Sequence, residues 1–192
     1  MDNLSGNLVR LRPVRDEDWD CIASLRNDMR TQARGLRNPP SNTAKTARET
    51  MEKDFESPNR GIWIIETKDG KFVGHINYKE ERPRLGAVMG IVTGVDHWGK
   101  GYAREAMELI IRFLFEERGI QSVYLWTTSW NVRMVGLAKK LGFRISVRER
   151  EARCLGGTLY DGLFMDMLRE ECYESKEMKD EMKRDLPAIG GA

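Results

Sequence analysis

Two hydrophobic rhythms run along this chain, one of period two and one near 3.6, and the changes between them outline its elements. NLVRLRPV (7–14) sets Val9 and Leu11 against Leu8, Arg10 and Arg12, a strand stopped at Pro13. The longer period over 17–30 turns Trp19, Ile22, Ala23, Leu25 and Met29 to one side, a helix with Asp16 as its cap. Residues 31–42, TQARGLRNPPSN, read as a loop, and a second helix covers 43–56. GIWIIET (61–67) and KFVGHINY (71–78) are strands joined through Lys68-Asp69-Gly70. LGAVMGIVTG (85–94) is a further strand, whose Gly86, Gly90 and Gly94 mark a bulge or a close backbone approach.

A helix over 101–118 follows, with a polar stripe of Arg104, Glu108, Arg112 and Glu116 and a stop at Gly119. QSVYLWTT (121–128) is a strand. NVRMVGLAKKLG (131–142) is a short helix with Asn131 at its cap and Gly142 at its close. FRISVRERE and TLYDGLFMDML are the closing strands, with a loop over 151–158. Interleaved strands and helices define an α/β protein with a mixed sheet. No repeat or linker divides it, so 1–171 is read as one domain. Residues 172–192 are a charged extension, either a solvated helix or disordered.

Composition narrows the partners. Thirty-two basic residues against 30 acidic ones leave a net charge of +2, which predicts no bulk attraction to nucleic acid or membrane. Cys21, Cys154 and Cys172 are far apart and show no C-x-x-C spacing, which reads as reduced thiols without a metal site. The start, MDNLSGNLVR, has no basic-then-apolar leader pattern, and LIIRFLF is broken by Arg112 and too short to span a bilayer. The cytoplasm is the expected location.

HWGKGYAREA (97–106) carries the chemistry. Gly99 and Gly101 flank Lys100 at the start of a helix, where unpaired N–H groups and a partial positive charge receive anions. Gly94-x-x-x-x-Gly99-Lys100 begins a P-loop, but Gly101 stands where Ser or Thr must hold magnesium. Gly99-x-Gly101 begins a dinucleotide fingerprint, but Arg104 stands where helix and strand must pack closely.

A third motif fits. Trp98-Gly99-Lys100-Gly101-Tyr102-Ala103 resembles the acetyl-CoA pyrophosphate loop of the GNAT superfamily of N-acetyltransferases, R/Q-x-x-G-x-G/A, with Trp in first place. Its form, WGKGYA-x-EA, is similar to that of the ribosomal-protein N-terminal acetyltransferases. NVRMVGLAKKLGF (131–143), GTLYDGLFMDMLREE (157–171) and LVRLRPVRDEDWD (8–20) resemble the same branch, so the likeness spans about 8–171. It implies a mostly antiparallel sheet of about seven strands, helices on both faces, and a slot splayed open for acetyl-CoA. The cofactor contacts it implies are Ile91, Val92, Trp98, Gly99, Lys100, Gly101, Tyr102, Ala103, Arg104, Asn131 and Met134. A backbone N–H at Ile91 or Val92 would polarise the thioester carbonyl.

The resemblance further implies that an amine attacks the thioester directly, with no metal and no covalent enzyme intermediate. Two residues depart from the pattern. Ala138 stands where many relatives place a tyrosine acid, and Val88 where many place a glutamate base. A lysine amine of pKa about 10.4 needs roughly 4 kcal/mol to lose its proton at neutral pH, an α-amine of pKa about 7.7–8.0 under about 1.5 kcal/mol. The favoured acceptor is therefore a protein or peptide N-terminal α-amine. The alternatives are a small amine, such as an antibiotic or polyamine, and a sensor that binds acyl-CoA without turnover.

Substitute acid or base candidates are Tyr124, Glu81 and Tyr160, with Glu66, Glu80, Glu149 and Glu151 reading as surface charges. His75 and His97 read as structural, and Trp63, Trp126 and Trp130 as core or slot lining. Arg30, Arg34 and Arg37 make a basic loop that either faces an acidic substrate or is a solvated loop, and 31–42 and 151–158 are expected to border the acceptor site. A homodimer is left open.

Overall fold

The computed structural model describes residues 4–31, 42–55, 57–82 and 84–174. Most of the expected 31–42 loop, including Arg34 and Arg37, and the extension past Glu174 lie outside the described residues. Seven strands form one sheet: β1 (Val9–Arg12), β2 (Arg60–Thr67), β3 (Phe72–Arg82), β4 (Gly86–Thr93), β5 (Ser122–Thr128), β6 (Arg144–Leu155) and β7 (Thr158–Leu168). Their order across the sheet is β1-β2-β3-β4-β5-β7-β6. Every neighbouring pair is antiparallel except β4 and β5.

Helices cover both faces because successive strand residues point to opposite sides. Ile64 packs with Trp19, Ile22, Ala47 and Met51 of α1 (Asp18–Asn27) and α2 (Ala44–Phe55). Its neighbour Ile65 joins Met107, Ile110 and Leu114 on the other face, under α3 (Tyr102–Arg112). Both isoleucines are fully buried, and each contributes roughly 1.5–3 kcal/mol over exposure. The helix expected over 101–118 changes pitch: after Arg112 the turn Phe113–Glu117 is π-helical. Adjacent Leu114 and Phe115 are both fully buried there. Two shorter helices, α4 (Val132–Lys140) and α5 (Arg169–Glu174), complete the described chain.

Four local expectations are corrected. Met29 is 60% exposed, because α1 ends at Asn27 and the chain leaves extended at Asp28. Asp16 does not cap α1; its carboxylate pairs with Arg48 at 2.9 Å, and Asp18 instead accepts from the Arg15 N–H at 2.7 Å. β3 runs four residues past Tyr78, because Arg118 neutralises the buried Glu80 at 2.7 Å. The segment 151–158 is not a loop bordering the acceptor side. β6 continues to Leu155 through an irregularity at Glu151 (φ 53°), and Gly156-Gly157 turn it into β7 with φ of 57° and 79°.

Arg12 links β1 to α1. Its guanidinium makes two bonds to Asp18, at 2.7 and 2.8 Å, and one to Glu66 at 3.1 Å; Arg10 adds a second to Glu66 at 2.7 Å. Burial works to raise the pKa of both carboxyls, but the arginine bonds prevail and hold them below their ordinary values.

Candidate active site

The parallel pair β4–β5 is joined only from Gly86↔Ser122 to Val88↔Tyr124. Beyond Val88 the two strands part, and a cleft of about 1110 Å³ opens between them. Met89 to Thr93 line one wall and Leu125 to Thr127 the other. Gly94 donates to the Val73 carbonyl on β3 at 3.0 Å. Alternation along an antiparallel strand then turns the Val92 and Gly90 amides to β3 and that of Ile91 to the cleft. Of the two amides expected to polarise a thioester, Ile91 faces the opening and Val92 is committed to the sheet.

At the head of the cleft β4 gives way to a short 3-10 turn, Val95–His97, and then to the glycine loop. Gly99 and Gly101 have φ of 77° and 84°, a left-handed conformation that side chains resist. Gly101 is the N-cap of α3 and offers no side chain to its first turn, so the amides of Tyr102, Ala103 and Arg104 keep no intrahelical partner. The Trp98 indole donates to the Thr93 carbonyl at 3.1 Å, and the Arg133 guanidinium lies 5.1 Å over its ring. Trp98 thereby braces the loop between β4 and α4. Glu105, in the first turn of α3, accepts from the N–H groups of Asn7, Leu8 and Val9 at 2.7, 2.8 and 2.7 Å. That carboxylate clasps the segment before β1 to the helix that presents the loop.

Asn131 caps α4, its Oδ1 accepting from the Met134 N–H at 3.3 Å, and both residues line the cleft. Ile91, Val92, Trp98, Gly99, Gly101, Ala103 and Arg104 line it too. Lys100 is exposed, and Tyr102 turns inward against the α3 core; neither side chain belongs to the lining.

The three acid–base candidates are not brought there. Tyr124 lies at the joined end of the strands, its hydroxyl held by Arg82 and by Ser122 Oγ at 2.6 Å. Glu81 is exposed at the far end of β3 and pairs with Lys79 at 3.5 Å. Tyr160 packs against Trp130, ring centres 5.5 Å apart. Glu66 and Glu80 are occupied by arginines, and the exposed Glu149 and Glu151 lie on the outer β6. Among the described residues lining the cleft there is no Asp or Glu.

The lining includes groups that no motif announced. His75 and His97 both contribute, as do Arg26 of α1 and Arg133 and Lys140 of α4. Asn77 on β3 projects beside Gly90, its Oδ1 only 2.7 Å from where a Cβ at that position would stand. A side chain, not the close backbone approach expected of the β4 glycines, fills the space at Gly90. Ala138 is fully buried, so no hydroxyl reaches the cleft from that turn of α4. Among the described residues no group of three or more His, Cys, Asp or Glu is placed to hold a metal ion, and no helix is long and apolar enough to cross a membrane.

A sheet that opens between two parallel strands, with a helix N-terminus and its glycine loop at the head of the gap, defines an acyl-coenzyme A transferase fold. The model of the acetyltransferase (GNAT) domain matches residues 9–144, and the chain belongs to that family of acetyl-CoA-dependent N-acetyltransferases. The SPbeta prophage-derived uncharacterized N-acetyltransferase YokL of Bacillus subtilis is 30% identical over 169 residues, 87% of this chain and 93% of its own. The uncharacterized N-acetyltransferase YoaA of the same organism is 28% identical over 156 residues, 79% of this chain and 88% of its own. Among solved structures, spermidine N-acetyltransferase from Vibrio cholerae in complex with CoA and spermine superposes with a TM-score of 0.77 at 20% identity, over 85% of this chain and 97% of that one. A GNAT-family acetyltransferase from Bacillus anthracis gives 0.73 at 18% identity, over 87% and 98%.

Proposed function

We propose that this enzyme moves the acetyl group of acetyl-CoA to the primary amine of a small molecule, by direct attack within a ternary complex. One observation carries the reading: the β4–β5 gap leads from the Ile91 amide to the open amides at the start of α3. The pyrophosphate lies against the amides from Gly99 through Ala103, with Lys100 and Arg104 adding charge and Tyr102 anchoring the turn. The helix terminus contributes about 0.3–2 kcal/mol to such an anion. The pantetheine arm follows β4 past Ile91 and Val92, with Asn131, Met134 and Trp98 closing over it. The Ile91 N–H donates to the thioester oxygen as the amine nitrogen bonds the acetyl carbon. The carbon–sulfur bond then breaks, coenzyme A leaves as thiolate, and the new amide sheds its proton to solvent.

The likeness to a spermidine acetyltransferase fold supports a small acceptor over a peptide N-terminus. The WGKGYA form of the loop is what favours the peptide as a second reading. We further propose a cytoplasmic homodimer, in keeping with three free cysteines and with Val147 and Phe164, which stay 53% and 38% exposed on the outer β6–β7 hairpin. The charged stretch from 172 is proposed to stand apart from a single catalytic domain.

Coenzyme thiol release, followed across a panel of small amines and N-terminal peptides, tests the assignment. Turnover with a small amine is expected. Tight acetyl-CoA binding without turnover across the panel would replace the enzyme with a sensor.

A further inference from the structure

Asn77 is ill-matched to its place. It stands half-buried in the middle of β3, where the pleat favours branched and aromatic side chains. Its cross-strand neighbours are Ile62 on β2 and Gly90 on β4, and neither carries a polar side chain. Ile62 packs with the α1–α2 cluster, so Asn77 stands on that face of the sheet, while the adjacent Ile76 is buried on the α3 face. Among the described residues no hydrogen bond holds the Asn77 side-chain amide. A polar group kept half-buried at such a cost marks a place where something else satisfies it.

The amide lines the cleft, as do Thr50 of α2 and His75 of β3. Its Oδ1 is 2.7 Å from the place of a Cβ on Gly90 and its Nδ2 4.0 Å, so the carbonyl end lies over the glycine. The next residue is Ile91, whose N–H faces the opening between β4 and β5. Covalent geometry keeps that nitrogen within about 7 Å of Asn77 Oδ1. A thioester oxygen bonded to the Ile91 amide and an attacking nitrogen bonded to Asn77 fit that span together.

We propose that Asn77 binds the attacking amine, its Oδ1 accepting one N–H so that the nitrogen lone pair points at the acetyl carbon. This rests on the acetyl-transfer reading above and adds the residue that seats its acceptor. A neutral primary amine has two N–H groups and one lone pair, so this hydrogen bond leaves the lone pair free. As the nitrogen–carbon bond forms, the nitrogen becomes positively charged, and its bond to Asn77 becomes charge-assisted and stronger. The carbon–sulfur bond then breaks, the thiolate carries off the electron pair, and the nitrogen loses its proton to solvent. Asn77 takes no proton. Its contribution grows toward the transition state, so it acts on kcat more than on KM.

The test replaces Asn77 by leucine and, separately, by alanine, and uses the most active acceptor of the amine panel. Both variants are expected to lose at least about tenfold in kcat, with KM for the acceptor changed less than about threefold. Acetyl-CoA affinity by calorimetry is expected to stay within about twofold, and melting within a few degrees, of the parent. Parental kcat in both variants overturns the inference and leaves acetyl transfer standing. A matching loss of acetyl-CoA affinity makes Asn77 part of the scaffold and overturns it as well. Binding of acetyl-CoA by the parent without thiol release to any amine overturns the acetyl-transfer reading and this inference with it.

Discussion

Asn77 on β3 and Gly90 on β4 stand directly opposite one another, and the asparagine side chain fills the space that a Cβ at residue 90 would need. The contact would be 2.7 Å, so Gly90→Ala must push the Asn77 amide aside. Displacements of about 1 Å near reacting atoms cost up to roughly 100-fold in rate. The variant is expected to lose at least tenfold in kcat/KM for the acceptor while melting within a few degrees of the parent. Steady-state kinetics alongside thermal denaturation measures both.

The proposed coenzyme site depends on the left-handed turn at Gly101. An alanine there would carry a Cβ 3.1 Å from Leu8 in a conformation costing about 1–2 kcal/mol. Gly101→Glu adds a negative charge among the amides proposed to receive phosphate. Acetyl-CoA affinity by calorimetry is expected to fall about tenfold for the alanine and beyond detection for the glutamate. Wild-type affinity in the glutamate variant would remove the loop from the binding site.

Arg12 neutralises two buried carboxylates at once. Arg12→Met leaves Asp18 without its guanidinium and Glu66 with Arg10 alone, and is expected to cost about 3–5 kcal/mol. Denaturant titration gives the value. Both carboxyls have folded pKa values below their usual 3.8 and 4.5. Their stabilisation is complete above those ordinary values and is lost as the pH falls through the depressed ones. The melting temperature is therefore expected to drop steeply on acidification below about pH 4, and Arg12→Met to flatten that dependence.

Cys21 and Cys154 are exposed, whereas Cys172 of α5 is buried in the α3-side core and its thiol is pushed up to about 12, first by burial and then by the nearby Glu116 charge. A thiol reagent at pH 8 is expected to modify two cysteines per folded chain and the third only in denaturant. Rapid modification of all three would mean that α5 opens readily.

No carboxylate stands among the described lining residues, so unless His75 or His97 takes its proton the acceptor amine reaches the thioester already neutral. The kcat/KM profile is expected to rise tenfold per pH unit up to the free amine's own pKa and then level off. Exchanging the acceptor for one of lower pKa should shift the inflection by the same amount. An inflection that stays fixed across acceptors would reveal a base on the enzyme.

Much of this was legible in the chain before any coordinates. The polar stripe of Arg104, Glu108 and Arg112 gives α3, the alternation of Val9 and Leu11 with Arg10 and Arg12 gives β1, and the glycine loop points to the coenzyme. The misreadings have local causes. Met29 continues the spacing of α1 across a break at the extended Asp28 that takes it out of phase, and Glu151 takes a left-handed conformation that lets β6 run on where charge and glycine suggest a loop. The rest of the cleft lining was opaque for another reason. Asn77 and the pair Arg26 and Thr31 come from two separate stretches with no shared motif, and the fold brings both to the cleft.

The clasp between Glu105 and the amides of residues 7–9 ties the leading segment to the proposed coenzyme seat. A purification tag or fusion partner joined ahead of Met1 is expected to pull on the carboxylate that orients the first turn of α3. Affinity for the acetyl donor becomes a property of the whole leading segment, and removing the tag before calorimetry is part of measuring the native enzyme.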